Sequence, residues 1–122
     1  MPHIIIDYSR GASEAVDITA LARAVHRSVR DGGLVKPAVV RTLAREATVS
    51  FVADEHPENH FIQIIMRIAP GRDAESKKHL LEAAFKSALK VADRALAEGR
   101  VGLRADLYES DPEFAFSASS IP

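Results

Sequence analysis

The chain contains no cysteine among its 122 residues. This absence excludes disulfide bonds, thiolate metal sites and a cysteine nucleophile. Long apolar runs are also missing, since no stretch approaches the roughly 20 apolar residues that a membrane-spanning helix needs. No basic segment precedes the first apolar residues, unlike the start of a secretory signal peptide. We therefore expect a cytoplasmic protein that does not contact membranes.

The sequence also lacks an excess of either charge. It has 16 basic and 17 acidic residues, a formal net charge of −1. This balance gives no overall attraction to nucleic acid or to anionic lipid, so any anion binding must come from a local group of cations. With 47% hydrophobic residues, the chain can fill one core. We expect a single domain over residues 1–122.

The hydrophobic pattern predicts two consecutive strand–helix–strand units. The first has a strand at residues 4–6, a helix capped by Asp17 and a strand over about residues 39–52. The second has a strand at residues 61–68, a helix between Asp73 and Gly99, and a strand at about residues 101–107. Two βαβ units predict an α+β fold, a four-stranded mixed sheet with two helices on one face. Because the strands carry apolar residues on both faces, we expect an oligomer.

Pro2 is the strongest candidate for a catalytic group. Removal of Met1 would expose its secondary amine at the beginning of a buried strand, with no flexible leader. Apolar surroundings and nearby arginines disfavour a protonated amine, so we expect its pKa to lie near neutrality, where a general base works best. A proline at this position also begins many strands without any chemical role.

Three arginines are candidates for binding carboxylates. Arg41 and Arg45 lie on one face of the second predicted strand, about 13 Å apart, among apolar neighbours. A guanidinium there can bind a carboxylate through two parallel hydrogen bonds, although a solvated strand face is the commoner role. Arg72 precedes the second helix, where the helix N-terminus favours anions.

Other chemistries have little support in the sequence. His56 and His60 have the spacing of helical metal ligands, but Pro57 and a turn-rich segment separate them. The serines lack a neighbouring histidine in a nucleophile-elbow arrangement, and no glycine-rich phosphate loop follows a strand. We expect no cofactor and no metal.

Taken together, these residues resemble the 5-carboxymethyl-2-hydroxymuconate isomerases of the tautomerase superfamily. The resemblance covers nearly the whole chain and rests on the joint order of four short segments. They are the Met1-Pro2-His3 start, Arg41 in the second strand, Gly-Arg-Asp-Ala-Glu-Ser at residues 71–76, and a tail with Pro112 and Phe116. One departure is Leu43, which stands where a family member has a second arginine. Arg45 on the same face is a candidate replacement.

The resemblance implies a tautomerase-like homotrimer with Pro2 as the base and Arg41 and Arg72 as ligands of the substrate's carboxylates. The implied reaction shifts a double bond in an unsaturated 2-hydroxy acid with several carboxylates, converting 5-carboxymethyl-2-hydroxymuconate to its conjugated keto isomer in aromatic catabolism. Two alternatives stay open. One is another enzyme on this scaffold, such as an unsaturated-acid dehalogenase; the other is a noncatalytic trimeric binding module.

Overall fold

The order of elements follows the hydrophobic pattern: strand, helix, strand, and the same again. A computed structural model describes residues 2–122, so the expected removal of Met1 concerns a residue outside the described range. The elements are β1 (His3–Tyr8), α1 (Ile18–Arg30), β2 (Arg41–Glu46), β3 (Asn59–Ile68), α2 (Ala74–Glu98) and β4 (Arg100–Glu109). Single 3₁₀ turns occur at Ala12–Glu14, Pro37–Val39 and Pro112–Phe114.

The four strands form one mixed sheet in the order β2-β1-β3-β4. Each βαβ unit contributes a parallel pair, β1 with β2 and β3 with β4. The two units join through β1 and β3, which are antiparallel. The predicted α+β fold is therefore confirmed, and β1 becomes a central strand.

Both helices pack on one face of the sheet, and both begin at the predicted caps. Asp17 accepts a hydrogen bond from the amide of Ala20 at 3.0 Å, and Asp73 accepts one from the amide of Ser76 at 2.7 Å. Each cap satisfies an amide that the first helical turn leaves unpaired. The core comprises alternate strand residues and one stripe from each helix, among them Ile4, Ile6, Leu21, Val25, Ile62, Ile64, Met66, Leu80, Ala84 and Ala88. Within residues 2–122, no helix is long and apolar enough to cross a membrane.

The other face of the sheet, here called the open face, carries three rows of side chains that run across the strands. The strand register gives the rows Arg41–His3–Arg67–Tyr108, Leu43–Ile5–Ile65–Asp106 and Arg45–Asp7–Gln63–Arg104. Only the middle row is mainly apolar. The expectation of apolar residues on both faces therefore holds for a strip of the open face, between two rows of charged and polar residues.

The second strand is shorter than the sequence pattern predicts. β2 ends at Glu46, and residues 47–52 leave the sheet. Their connection is held by a hydrogen bond from the amide of Arg10 to the hydroxyl of Ser50, and it turns through positive φ at Ala53 and Glu55. Such hydrogen bonds to another segment, together with left-handed backbone, replace the ladder that alternation alone predicts.

Candidate functional site

Four strand ends meet at one edge of the sheet, where Pro2 lies. β1 and β2 begin there, because they are parallel and His3 pairs with Arg41. β3 and β4 end there, because β3 is antiparallel to β1 and Ile68 pairs with Glu109. The turn that leads into α2 and the tail after β4 follow from the same edge. Segments distant in sequence thus come together around the start of the chain.

Pro2 is buried at this edge. Its carbonyl accepts a hydrogen bond from the amide of Arg41 at 3.0 Å, which continues the β1–β2 ladder by one step. The register extended by one residue sets Pro2 between Val40 and Ile68, both buried. The backbone nitrogen of Pro2 is therefore held in place with apolar side chains on the neighbouring strands.

Arg41 reaches from the open face back toward the same edge. Its Nη1 donates to the carbonyls of Ala38 at 2.7 Å and Val40 at 3.3 Å, and its Nη2 donates to the Ser119 hydroxyl at 3.2 Å. Three of the five guanidinium hydrogens are used in this way, which leaves Nε–H and one Nη2 hydrogen. A carboxylate can still bind the Nε–Nη2 side of Arg41.

Arg72 lies on the helix side of the same edge. Both Nε and Nη2 donate to the carbonyl of Leu34, at 3.1 and 2.8 Å. Leu34 precedes β2 and Arg72 follows β3. Because β1 lies between these two strands in the sheet, the contact passes across the beginning of β1. Gly33 and Gly71, beside the two partners, have φ of 80° and 120°, values that favour glycine. The Nη1–Nη2 side of Arg72 is left for a carboxylate.

Arg45 is placed differently from the other two arginines. Its Nε and Nη2 donate to the two oxygens of Asp7, at 3.0 and 3.2 Å, and the side chain is 59% exposed. It lies in the third row of the open face, about 13 Å along β2 from Arg41. The structure therefore brings Arg41 and Arg72 to the Pro2 edge and leaves Arg45 in an exposed ion pair away from it.

Sequence analysis did not identify His3 and Arg67 as residues of this edge. His3 pairs with Arg41 on one side and with Arg67 on the other, so the row contains three basic side chains and no acid. Burial lowers the pKa of His3, and the nearby charges of Arg67 and, more weakly, Arg41 lower it further. The available signal was the alternation of His3 and Arg67 with buried neighbours, but their proximity depends on the order of the strands.

The tail after β4 crosses the Pro2 edge without regular structure beyond Pro112–Phe114. Ser119 contacts Arg41, whose strand lies at the opposite side of the sheet from β4. Phe114, Phe116 and Ile121 are exposed, and Phe116 is 99% exposed. A tail with such exposed apolar side chains is typical of a segment that packs against another surface.

A wide cleft lies at the other end of the sheet from Pro2. It has a volume of about 900 Å³ and is lined by residues that include Phe51, His56, His60 and Arg100. Here the Ser9 hydroxyl accepts a hydrogen bond from the amide of Phe61 and contacts His60 Nδ1 at 3.4 Å, so Ser9 is committed to joining β1 and β3. We place the candidate site at the Pro2 edge, because that edge combines a buried amine position with cations that have no acidic partner among residues 2–122.

The family model of 5-carboxymethyl-2-hydroxymuconate isomerase matches residues 2–122. A search of curated protein sequences finds no match.

Solved structures give the same fold at low sequence identity. A 5-carboxymethyl-2-hydroxymuconate isomerase from Deinococcus radiodurans R1 is 20% identical, with a TM-score of 0.89 over 98% of this chain and 90% of that one. A 5-carboxymethyl-2-hydroxymuconate delta-isomerase is 22% identical, with a TM-score of 0.86 over 98% and 89%. A fused 4-OT protein described as a symmetric trimer is 20% identical, with a TM-score of 0.64 over 93% and 91%.

The lowered pKa of His3 predicts how stability depends on pH at this edge. The unfolded chain binds a proton at His3 near pH 6.5, while the folded chain keeps the imidazole neutral to lower pH. The free energy of unfolding should therefore decrease as the pH falls from about 6.5 through the folded-state pKa. Urea denaturation between about pH 8 and about pH 5 should show a smaller decrease in His3→Gln. His79→Gln, at an exposed position on α2, is the control. Equal decreases in wild type and His3→Gln would contradict this account.

Proposed function

Because the chain belongs to the 5-carboxymethyl-2-hydroxymuconate isomerase family, we propose that it isomerises this dienol with the amine of Pro2 as general base. The observation that carries the proposal is the meeting of Pro2, Arg41 and Arg72 at one edge of the sheet. The strand ladder holds Pro2, and the guanidinium groups of Arg41 and Arg72 are anchored by backbone carbonyls at the same end of the sheet.

The proposed reaction is a proton transfer with a shift of double bonds. Pro2 takes the proton of the 2-hydroxyl group, and the oxygen electron pair forms the carbonyl at carbon 2. The double bond between carbons 2 and 3 moves to carbons 3 and 4. The electrons of the original double bond between carbons 4 and 5 then take the proton back from Pro2 at carbon 5. Atoms and electrons balance without a co-reactant, and the base is regenerated.

The arginines would bind the substrate and stabilise the charge that develops on it. Each can bind a carboxylate by two parallel hydrogen bonds on the side of the guanidinium that its protein contacts leave free. A cation close to the substrate also stabilises the negative charge of the dienolate as it forms. The proposal therefore assigns no step to a metal or a cofactor.

We propose that the active assembly is a homotrimer in the cytoplasm. The apolar row Leu43–Ile5–Ile65 lies on a face that the helices leave uncovered, and Phe114 and Phe116 project from the tail. An uncovered apolar row and an apolar tail on one chain can cover each other between copies. The fused 4-OT neighbour, described as a symmetric trimer, supports three as the number of copies.

The dehalogenase alternative has less support at this edge. Activating water for such a reaction calls for an acid or amide beside the proline. By the strand register, the acids on the strands nearest to Pro2 are both engaged, Glu109 with Lys77 at 3.1 Å and Asp106 with Arg104 at 2.8 Å. Neither is free to hold water next to Pro2. A noncatalytic module would be consistent with Met1 retained on the chain, which an intact mass would show.

Arg41→Ala should reduce kcat/KM for 5-carboxymethyl-2-hydroxymuconate by roughly ten- to two-hundredfold, since a charge-assisted hydrogen bond contributes about 1.5–3 kcal/mol. Arg41→Lys should recover only part of the loss, because an ammonium group cannot make two parallel hydrogen bonds. Arg45→Ala is the comparison on the same strand and face, and it should change kcat/KM little because Asp7 holds that guanidinium. A loss at Arg45 as large as that at Arg41 would show that the binding group is misassigned.

A chain that keeps one residue before Pro2 tests the base itself. The amide nitrogen formed in that chain is not basic, so turnover of the dienol should be nearly abolished. Folding should change little, because the addition lies at the end of the chain. Circular dichroism and light scattering control for the fold and the assembly. Pro2→Ala, which keeps a primary amine, should retain weaker activity. Full activity of the extended chain would remove proline catalysis from the account.

A further inference from the structure

We propose that Arg67 binds the additional carboxylate that distinguishes a tricarboxylate substrate from a dicarboxylate one. This inference rests on the proposed function, and it concerns the substrate specificity of the same site. In this assignment Arg67 belongs to substrate recognition and has no part in proton transfer.

The strand register places Arg67 beside the reacting group. Arg67 pairs with His3 across the antiparallel β1–β3 ladder, and Arg41 pairs with His3 across the parallel β1–β2 ladder. Paired residues point to the same face, so Arg41, His3 and Arg67 form one row on the open face. Adjacent strands lie about 4.8 Å apart, which separates the backbones of the two arginines by about 10 Å. His3 follows Pro2 directly, so the row passes beside the site.

No acid in the described part of the chain forms an ion pair with Arg67. Its side chain is exposed, and within residues 2–122 it forms no hydrogen bond or ion pair. The neighbour on its other side is Tyr108, whose side chain carries no carboxylate. In the next row Asp106 accepts hydrogen bonds from Arg104, at 2.8 and 3.1 Å. Among residues 2–122, Arg67 therefore has no acidic partner, and its pairing with His3 places it next to the base.

His3 separates the two guanidinium groups of the row without favouring a further positive charge. The imidazole is half-buried between Arg41 and Arg67, and its burial together with the charge of Arg67 lowers its pKa. The lowered pKa disfavours a third positive charge between the two arginines. The two guanidinium groups remain separate anion sites on either side of the imidazole.

Arg41 and Arg72 together have too few free guanidinium sides to bind three carboxylates. Arg41 uses Nη1 on two carbonyls, and Arg72 uses Nε and Nη2 on Leu34, so each has one side left for a carboxylate. The dienol named by the family has three carboxylates, one of them on the carboxymethyl group. Two arginines with one free side each leave one carboxylate unmatched, and Arg67 supplies its partner.

The test compares two substrates in wild type and Arg67→Gln. One is 5-carboxymethyl-2-hydroxymuconate, and the other is 2-hydroxymuconate, the same dienol without the carboxymethyl group. Arg67→Gln should lower kcat/KM for the tricarboxylate roughly tenfold, mainly through a higher KM, and should change the value for the dicarboxylate by less than about twofold. Where 2-hydroxymuconate turns over too slowly, its inhibition constant against the tricarboxylate gives the same comparison. Arg67→Lys should restore part of the preference.

Arg104→Gln is the matched control, since Arg104 lies on the same face of the neighbouring strand and is paired with Asp106. It should leave the ratio of the two kcat/KM values unchanged. An unchanged ratio in Arg67→Gln would overturn the inference while the wild-type activity still supports the isomerase. Equal losses on both substrates, with dissociation seen by light scattering, would make Arg67 an interface residue and also overturn it. A wild-type protein inactive on both dienols would refute the proposed function, and the inference with it.

Discussion

Backbone pairing of β1 on both of its sides is the constraint on which the candidate site depends. β1 is parallel to β2 and antiparallel to β3, and the amide of Arg41 continues the ladder to the carbonyl of Pro2. A chain end would ordinarily be among the most mobile parts of a domain. Here the ladder holds Pro2 between two strands, which is the fixed position that the proposed catalytic amine requires.

The same pairing determines which charged residues gather around that amine. The beginning of β2 brings Arg41, the end of β3 brings Arg67, and the turn after β3 brings Arg72 across to Leu34. Asp7 lies further along β1 and is paired with Arg45. Although the net charge is −1, cations without an acidic partner among residues 2–122 gather at one edge, as the proposed polyanionic substrate would require.

Much of this arrangement could be predicted from the sequence, because it depends on local signals. The helix caps at Asp17 and Asp73 are confirmed, and so is the α+β fold with a mixed sheet. The predicted length of β2 was wrong. The alternation of side chains in the sequence continues beyond Glu46, but the chain there forms a connection held by tertiary hydrogen bonds. The ion pair of Arg45 and the proximity of Arg67 to His3 could not be predicted, because both depend on which strands become neighbours and in which register.

The central claim is that the Pro2 amine is the base, and an NMR titration of the chain labelled with ¹⁵N-proline tests it most directly. The pH at which the Pro2 nitrogen loses its proton should coincide with the midpoint of the pH-dependent rise in kcat/KM for the dienol. Such agreement would connect the activity to the protonation state of this one atom. An amine that stays protonated throughout the pH range in which kcat/KM has reached its plateau would contradict the account.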